Sequence, residues 1–158
     1  LEMNKKEVPL SPMIEDLIEK FTIKTEKTIH FTTDLKTEKV YADEEFLKEA
    51  ISNLIDNAIK YSKESVKINI SSSSDANHDI INIYDNGIGI PQKDQKKIFE
   101  KFERASAIKQ TRKGGPSGFG LGLNYVYQVM EAHEGRVYIN SIEGEFSEFS
   151  LLIPKICL

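Results

Sequence analysis

The sequence predicts an α+β domain of two layers, a mixed and mostly antiparallel sheet with helices packed on one face. Three observations carry this prediction. Short segments along the chain alternate apolar and polar residues with period two, as half-buried strands do. Two long segments, from about 43 to 61 and from about 119 to 133, show the wider apolar arc of an amphipathic helix. Helices also fall between pairs of adjacent strands, the order that distinguishes α+β from a doubly wound sheet. The clean alternation gives each strand a wet side, so the helices cover only the other.

Residues 1–10 read as a linker from an upstream region and 11–158 as one domain. Ser11-Pro12 opens a periodic stretch with Met13, Leu17 and Ile18 on one helical face, and Ser-Pro suits a helix start. Ile29 and Phe31 alternate with His30 and Thr32 as a strand. The first long helix follows, with Leu47, Ala50, Ile51, Leu54, Ile55, Ala58 and Ile59 on its apolar arc. Val66, Ile68 and Ile70, then Ile81 and Ile83, alternate with polar partners as two strands joined by a polar turn at 75–79. Beyond Asp85 come a glycine-containing loop, a short helix at about 95–102 and a polar stretch at 104–118. The second long helix and strands at 137–142 and 149–153 complete the chain.

With 158 residues the chain is the size of one ordinary domain. Its 39% apolar and 29% charged content is that of a soluble globular protein. A net charge of −4 speaks against nucleic acid as a partner. No apolar run approaches the roughly 20 residues of a membrane span, so this segment is expected to make no membrane contact. Cys157 is the only cysteine, which excludes a disulfide framework and a thiolate metal site and fits a cytoplasmic location.

Asn53, Asn57 and Lys60 form a polar stripe at i, i+4 and i+7 along one edge of the first long helix, with Tyr61 beside it. A solvated edge accounts for a lone asparagine. Two asparagines one turn apart inside a long helix are less easily explained, because Asn prefers caps and turns. A carboxamide oxygen is a hard, neutral ligand that suits magnesium, and beside a triphosphate it adds no repelling charge. Lys60 would face phosphate as a mobile point charge.

Asp85 shares parity with Ile81 and Ile83 and so points toward the core side. A carboxylate there needs donors. Amides of its own loop would serve, as would the exocyclic amine of a bound base. Gly87 and Gly89 in Asp85-Asn86-Gly87-Ile88-Gly89-Ile90-Pro91 permit positive φ and close backbone approach beneath a flat ligand. Gly118-Phe119-Gly120-Leu121-Gly122-Leu123 leads into a helix, and glycine-rich backbone at a helix N-terminus is an anion site. Arg104, Lys109, Arg112 and Lys113 with Gly114-Gly115-Pro116 read as a basic, lid-like segment.

In order, these runs resemble the signature boxes of the sensor histidine kinase catalytic domain, within the wider gyrase, chaperone, histidine kinase and mismatch-repair ATPase group. Asn53–Ser62 resembles the asparagine box, Asp85–Pro91 the first glycine box, Ile98–Arg104 the phenylalanine box and Gly118–Leu123 the second glycine box. The resemblance runs from Ser11 nearly to the end. It implies the Bergerat-type ATP-binding fold, with ATP and Mg2+ as ligands. Asp85 would meet the adenine amino group, and Asn57 the metal, with Asn53 near metal and phosphates. Lys60 would contact phosphate, and Tyr61 would line the nucleotide. Ile90, Phe102 and Leu123 would wall the adenine, and Gly118, Phe119, Gly120, Leu121 and Gly122 would bring lid backbone to the phosphates. ATP-hydrolysing relatives carry a glutamate base at the position of Asn53, and an amide cannot take that proton. The implied acceptor is therefore a histidine on a dimerisation domain expected upstream, with a response regulator downstream. His30, His78 and His133 read as structural. An ATPase or serine kinase of the same group, and a non-catalytic nucleotide sensor, are the competing expectations. Phe119, Glu134 and Phe146 depart from the family pattern.

Overall fold

The computed structural model describes residues 2–98 and 119–156, with 119–121 as backbone only. In chain order the elements are β1 (Lys5–Pro9), α1 (Leu10–Lys24), β2 (Thr28–Leu35), β3 (Lys39–Asp43), α2 (Glu44–Lys60), β4 (Ser65–Ser74) and β5 (His78–Asp85). Then follow α3 (described over residues 92–98), α4 (Phe119–Ala132), β6 (Arg136–Ile142) and β7 (Phe146–Pro154). The main sheet has the order β2-β4-β5-β7-β6. β2 and β4 pair in parallel and the other neighbours antiparallel, so the sheet is mixed, as expected. The parallel pair is joined through β3 and α2, the crossover that such pairing requires.

The inner face of the sheet carries Val66, Ile68, Ile70, Ile81, Ile83, Phe149, Leu151 and Ile153, all buried. Against it lie α1 over β2, α2 over β4 and β5, and α4 over β6 and β7. The outer face is polar and knitted by side chains: Asn69 donates to Thr32, and Ser150 to Asn82. One layer of helices and one wet face are thus what the alternation implies.

Part of residues 1–10 is a strand. Lys5–Pro9 pairs antiparallel with Lys39–Asp43, and Val8 and Leu10 are fully buried. Strand β1 has one buried apolar residue and no alternation to detect, whereas β3 alternates Val40 and Ala42 with Lys39 and Tyr41 over a run too short to stand out. The start of α1 also differs from expectation. Pro9 holds the N-cap position without a side-chain cap, and the Leu10 N–H donates to the Glu38 carbonyl instead. α3 is helical from residue 92, three residues before the expected start.

The two ends of α2 are fixed by side chains. The Asp43 carboxylate accepts from the Phe46 N–H at 3.0 Å, a side-chain N-cap. The Lys27 ammonium donates to the Ile59 and Ser62 carbonyls at 2.6 and 3.0 Å, where a cation suits the negative end of the helix dipole. His133, just past α4, is 2% exposed and ties the helices together. Its Nε2 accepts from the Asp43 N–H, so its Nδ1 carries the proton and donates to the Val129 carbonyl. That geometry requires the neutral ring, and burial holds its pKa below the usual value. His30 is exposed on the outer sheet face and His78 sits at a turn beside Asp75.

α4 ends in a Schellman motif. The Gly135 N–H donates to the Met130 carbonyl and the Glu134 N–H to that of Glu131. The left-handed position falls on Glu134, at φ 58°, whereas Gly135 is needed for another reason: a Cβ there would lie 2.2 Å from the Leu152 carbonyl. A non-glycine residue in this conformation costs about 1 kcal/mol. Glu134→Gly is therefore expected to raise the unfolding free energy by about 1 kcal/mol in a urea titration, with an unchanged slope.

Candidate functional site

The polar edge of α2 faces α4, and its asparagines differ in setting. Asn53 is half-buried, and a Cβ added to Gly122 would lie 3.8 Å from the Asn53 Cβ. Asn57 is 8% exposed, and its Nδ2 is buried with no hydrogen-bond partner among the described residues. The same added Cβ would lie 4.0 Å from Asn57 Oδ1, so that oxygen looks toward the first turn of α4. An orphaned amide costs about 1–3 kcal/mol. Such a group in a native fold points to a partner that arrives later. Lys60 is exposed and makes no ion pair with a described residue.

Asp85 ends β5, facing inward, 6% exposed. Its Oδ1 accepts from the Gly87 N–H at 2.8 Å, so the loop-capping role is real but uses one oxygen only. Burial pushes its pKa up from 3.8 to about 6, and the Gly87 hydrogen bond offsets only part of that. No cation approaches to relieve it among the described residues.

The loop after Asp85 is anchored to the protein on both sides. The Ile88 N–H donates to the Tyr61 carbonyl, and the Gly144 N–H donates to the Ile88 carbonyl. Of the two glycines, only Gly89 takes a positive φ, 69°. A Cβ there would lie 2.1 Å from the Ile142 carbonyl, and one on Gly87 2.6 Å from the Tyr61 carbonyl. The positive φ expected of this loop thus falls on Gly89, and both glycines meet protein backbone at close range. The protein's own backbone already demands them.

Asp85 and Asn57 meet in one narrow cleft of about 10 Å³, roughly the room of one water molecule, lined also by Ala58, Tyr61, Gly89, Ile90, Ser147 and Phe149. The sequence-predicted Asn57, Tyr61, Asp85, Gly89 and Ile90 thus come together. Asn53 and Gly122 lie toward the α4 side, Gly87 supports the floor, and Leu123 is buried in the core at 1% exposure. Phe102 and Gly118 lie outside the described residues, as does the basic stretch at 104–118. Phe119, Gly120 and Leu121 form the first turn of α4, whose N–H groups have no acceptors within the helix.

Ser147 and Phe149 were not read from the sequence. Ser147 is the cross-strand partner of Asp85, a pairing set by strand register, and no local motif marks it. Its hydroxyl is 3.0 Å from that of Ser141, whose own proton goes to the Phe146 carbonyl at 2.7 Å. Ser147 therefore donates to Ser141 and turns acceptor lone pairs toward the cleft.

Chemically, the cleft offers a buried carboxylate for a donor, an apolar wall for a flat group and an unpaired carboxamide next to a helix N-terminus. Among the described residues no cluster of three or more His, Cys, Asp or Glu could hold a metal. A cation here would lean on carboxamide oxygens and on the ligand's own anionic groups. No helix among the described residues is long and apolar enough to cross a membrane.

Comparison with known proteins agrees with this picture. Residues 42–156 match the family described as histidine kinase-, DNA gyrase B-, and HSP90-like ATPase. The adaptive-response sensory kinase SasA of Crocosphaera subtropica is 33% identical over 158 residues, covering 98% of this chain and 40% of that protein. The sensor histidine kinase WalK of Bacillus subtilis is 30% identical over 157 residues, covering 97% of this chain and 25% of that protein. This chain therefore spans less than half the length of either. The solved, nucleotide-free catalytic domain of the histidine kinase ThkA superposes with a TM-score of 0.78 at 25% identity, over 97% of both chains.

Proposed function

The chain belongs to the histidine kinase-, DNA gyrase B-, and HSP90-like ATPase family, as an ATP-binding catalytic domain of the sensor histidine kinase type, and from that premise we propose that it binds Mg-ATP and passes the γ-phosphoryl group to a histidine on a separate dimerisation domain of its own protein. The observation that carries this reading is the pairing, in one cleft, of a buried carboxylate with an orphaned carboxamide. The free side of Asp85 accepts the amino group of adenine. Ile90 packs on the base, and Tyr61 lines the nucleotide. Asn57, with Asn53 nearby, supplies carboxamide oxygen for magnesium, and Lys60 swings onto phosphate. The first turn of α4 offers its N–H groups to the same anion. Bound magnesium would neutralise charge on the phosphates.

The domain's part in the transfer is positioning and electrostatics, which is what phosphoryl transfer asks of a protein. Asn53 cannot serve as general base, and Asp85, the only carboxylate among the described residues that line the cleft, is committed to the base. Water is thus left unactivated, and an incoming imidazole brings its own nucleophile. The acceptor histidine lies on another domain, the setting is cytoplasmic, and a response regulator receives the phosphoryl group next.

The test is to mix this chain with the acceptor domain of its own parent protein and labelled Mg-ATP. Acid-labile, base-stable label on the acceptor is expected. Nucleotide binding without transfer would instead leave a sensing module, and steady phosphate release without transfer would indicate an ATPase.

A further inference from the structure

The Ile90 wall belongs to a loop with no sheet or helix ladder of its own, yet both backbone groups of Ile90 are satisfied by side chains. Its N–H donates to Ser141 Oγ at 2.8 Å. Its carbonyl accepts from Gln95 Nε2 at 2.7 Å, and the same amide donates its second hydrogen to the Ser141 carbonyl at 3.0 Å. Gln95 sits on α3 and Ser141 on β6. One amide fork thus joins the wall of the cleft to both a helix and a strand.

We propose that Gln95 is a positioning residue for the base, holding the Ile90 wall against the cleft through this fork. The proposal rests on the nucleotide reading above. Asp85 has a separate anchor in the Gly87 N–H, and Asn57 and Gly122 belong to α2 and α4. Loss of the fork therefore loosens one wall and leaves the carboxylate and the phosphate side in place. Pro91 follows Ile90 and brings no N–H of its own to the loop. The role needs a donor with two hydrogens. The isosteric Gln95→Glu has none and should behave like Gln95→Ala.

The experiment compares the affinity of the whole chain and the two variants for Mg-ADP and for magnesium tripolyphosphate, which has no base, by calorimetry, with thermal unfolding in parallel. Both variants are expected to bind ADP about tenfold more weakly, because binding must then order the loosened wall. Tripolyphosphate affinity should stay near that of the parent, while the midpoint falls by a few degrees as the Ile90 and Ser141 carbonyls lose their donor. Unchanged ADP affinity in the variants would overturn the proposal, and so would an equal loss for both ligands, which would mark Gln95 as a general prop of the fold. If the parent chain itself fails to bind ADP, the nucleotide reading falls and takes this role with it.

Discussion

Asp85→Asn is expected to make the protein more stable and to weaken strongly its binding of adenine nucleotides. The carboxylate is buried, has one loop N–H as donor and titrates near 6 instead of 3.8. A displacement of that size means the ionised form burdens the fold by about 3 kcal/mol at neutral pH. An asparagine keeps an oxygen for the Gly87 N–H and sheds the charge. The variant should thus gain up to about 3 kcal/mol, or roughly 5–10 °C in midpoint. Binding should move the other way. Without the carboxylate, the adenine amine loses a charge-assisted acceptor, and affinity should fall on the order of 100-fold. A variant that is stabilised but still binds would put the base elsewhere. One that is destabilised would make the Gly87 contact the main purpose of Asp85.

The pH dependence has opposite signs for folding and binding, which makes it a sharper check. Below pH 3.8 the carboxyl is protonated in both the unfolded and folded states, and no penalty exists. As pH rises from 3.8 to about 6, the unfolded chain ionises first, so stability attributable to Asp85 falls; above 6 the penalty is complete. Nucleotide affinity requires the ionised form. It should be flat above pH 6 and drop by up to about tenfold per unit below it. Calorimetric titrations at pH 5, 6 and 7.5, with Asp85→Asn as the pH-insensitive reference, separate the two trends.

Much of this site was legible because its residues violate local rules. Two asparagines inside a long helix and an aspartate in core parity go against propensity and solvation, and short-range periodicity is enough to expose them. Where the sequence was silent, the information is long-range. Ser147 reaches the cleft only because β5 and β7 pair in the register that sets it opposite Asp85. Lys27 caps α2 across 32 residues of chain, and Gln95 reaches Ser141 across 46. The β1–β3 ribbon escaped notice because KKEVP has a single buried apolar residue and the alternation of Val40 and Ala42 in its partner spans only five residues. The glycines of the loop have a second reason that only the fold reveals, the carbonyls of Tyr61 and Ile142 pressed against them.

The same logic applies to Asn57, with a different discriminating readout. Asn57→Leu replaces a buried amide by an apolar group of similar size and better helix propensity. It removes an orphaned donor, so unfolding free energy should rise by about 1–2 kcal/mol. Phosphoryl transfer to the acceptor domain should fall to background. A residue kept for packing would give the reverse, a loss of stability with activity retained. Asn57 Oδ1 looks toward α4, where anionic groups would gather, and an amide can present either its oxygen or its nitrogen there by rotating half a turn. Magnesium distinguishes the two. If the oxygen holds the metal, Asn57→Leu should bind nucleotide equally well with magnesium or with a chelator, because the metal's contribution has gone. If the amide nitrogen donates to phosphate, the variant should weaken binding by a similar factor in both conditions, and a magnesium-dependent gain should persist. Persistence of that gain would move the metal to Asn53 or to the ligand alone.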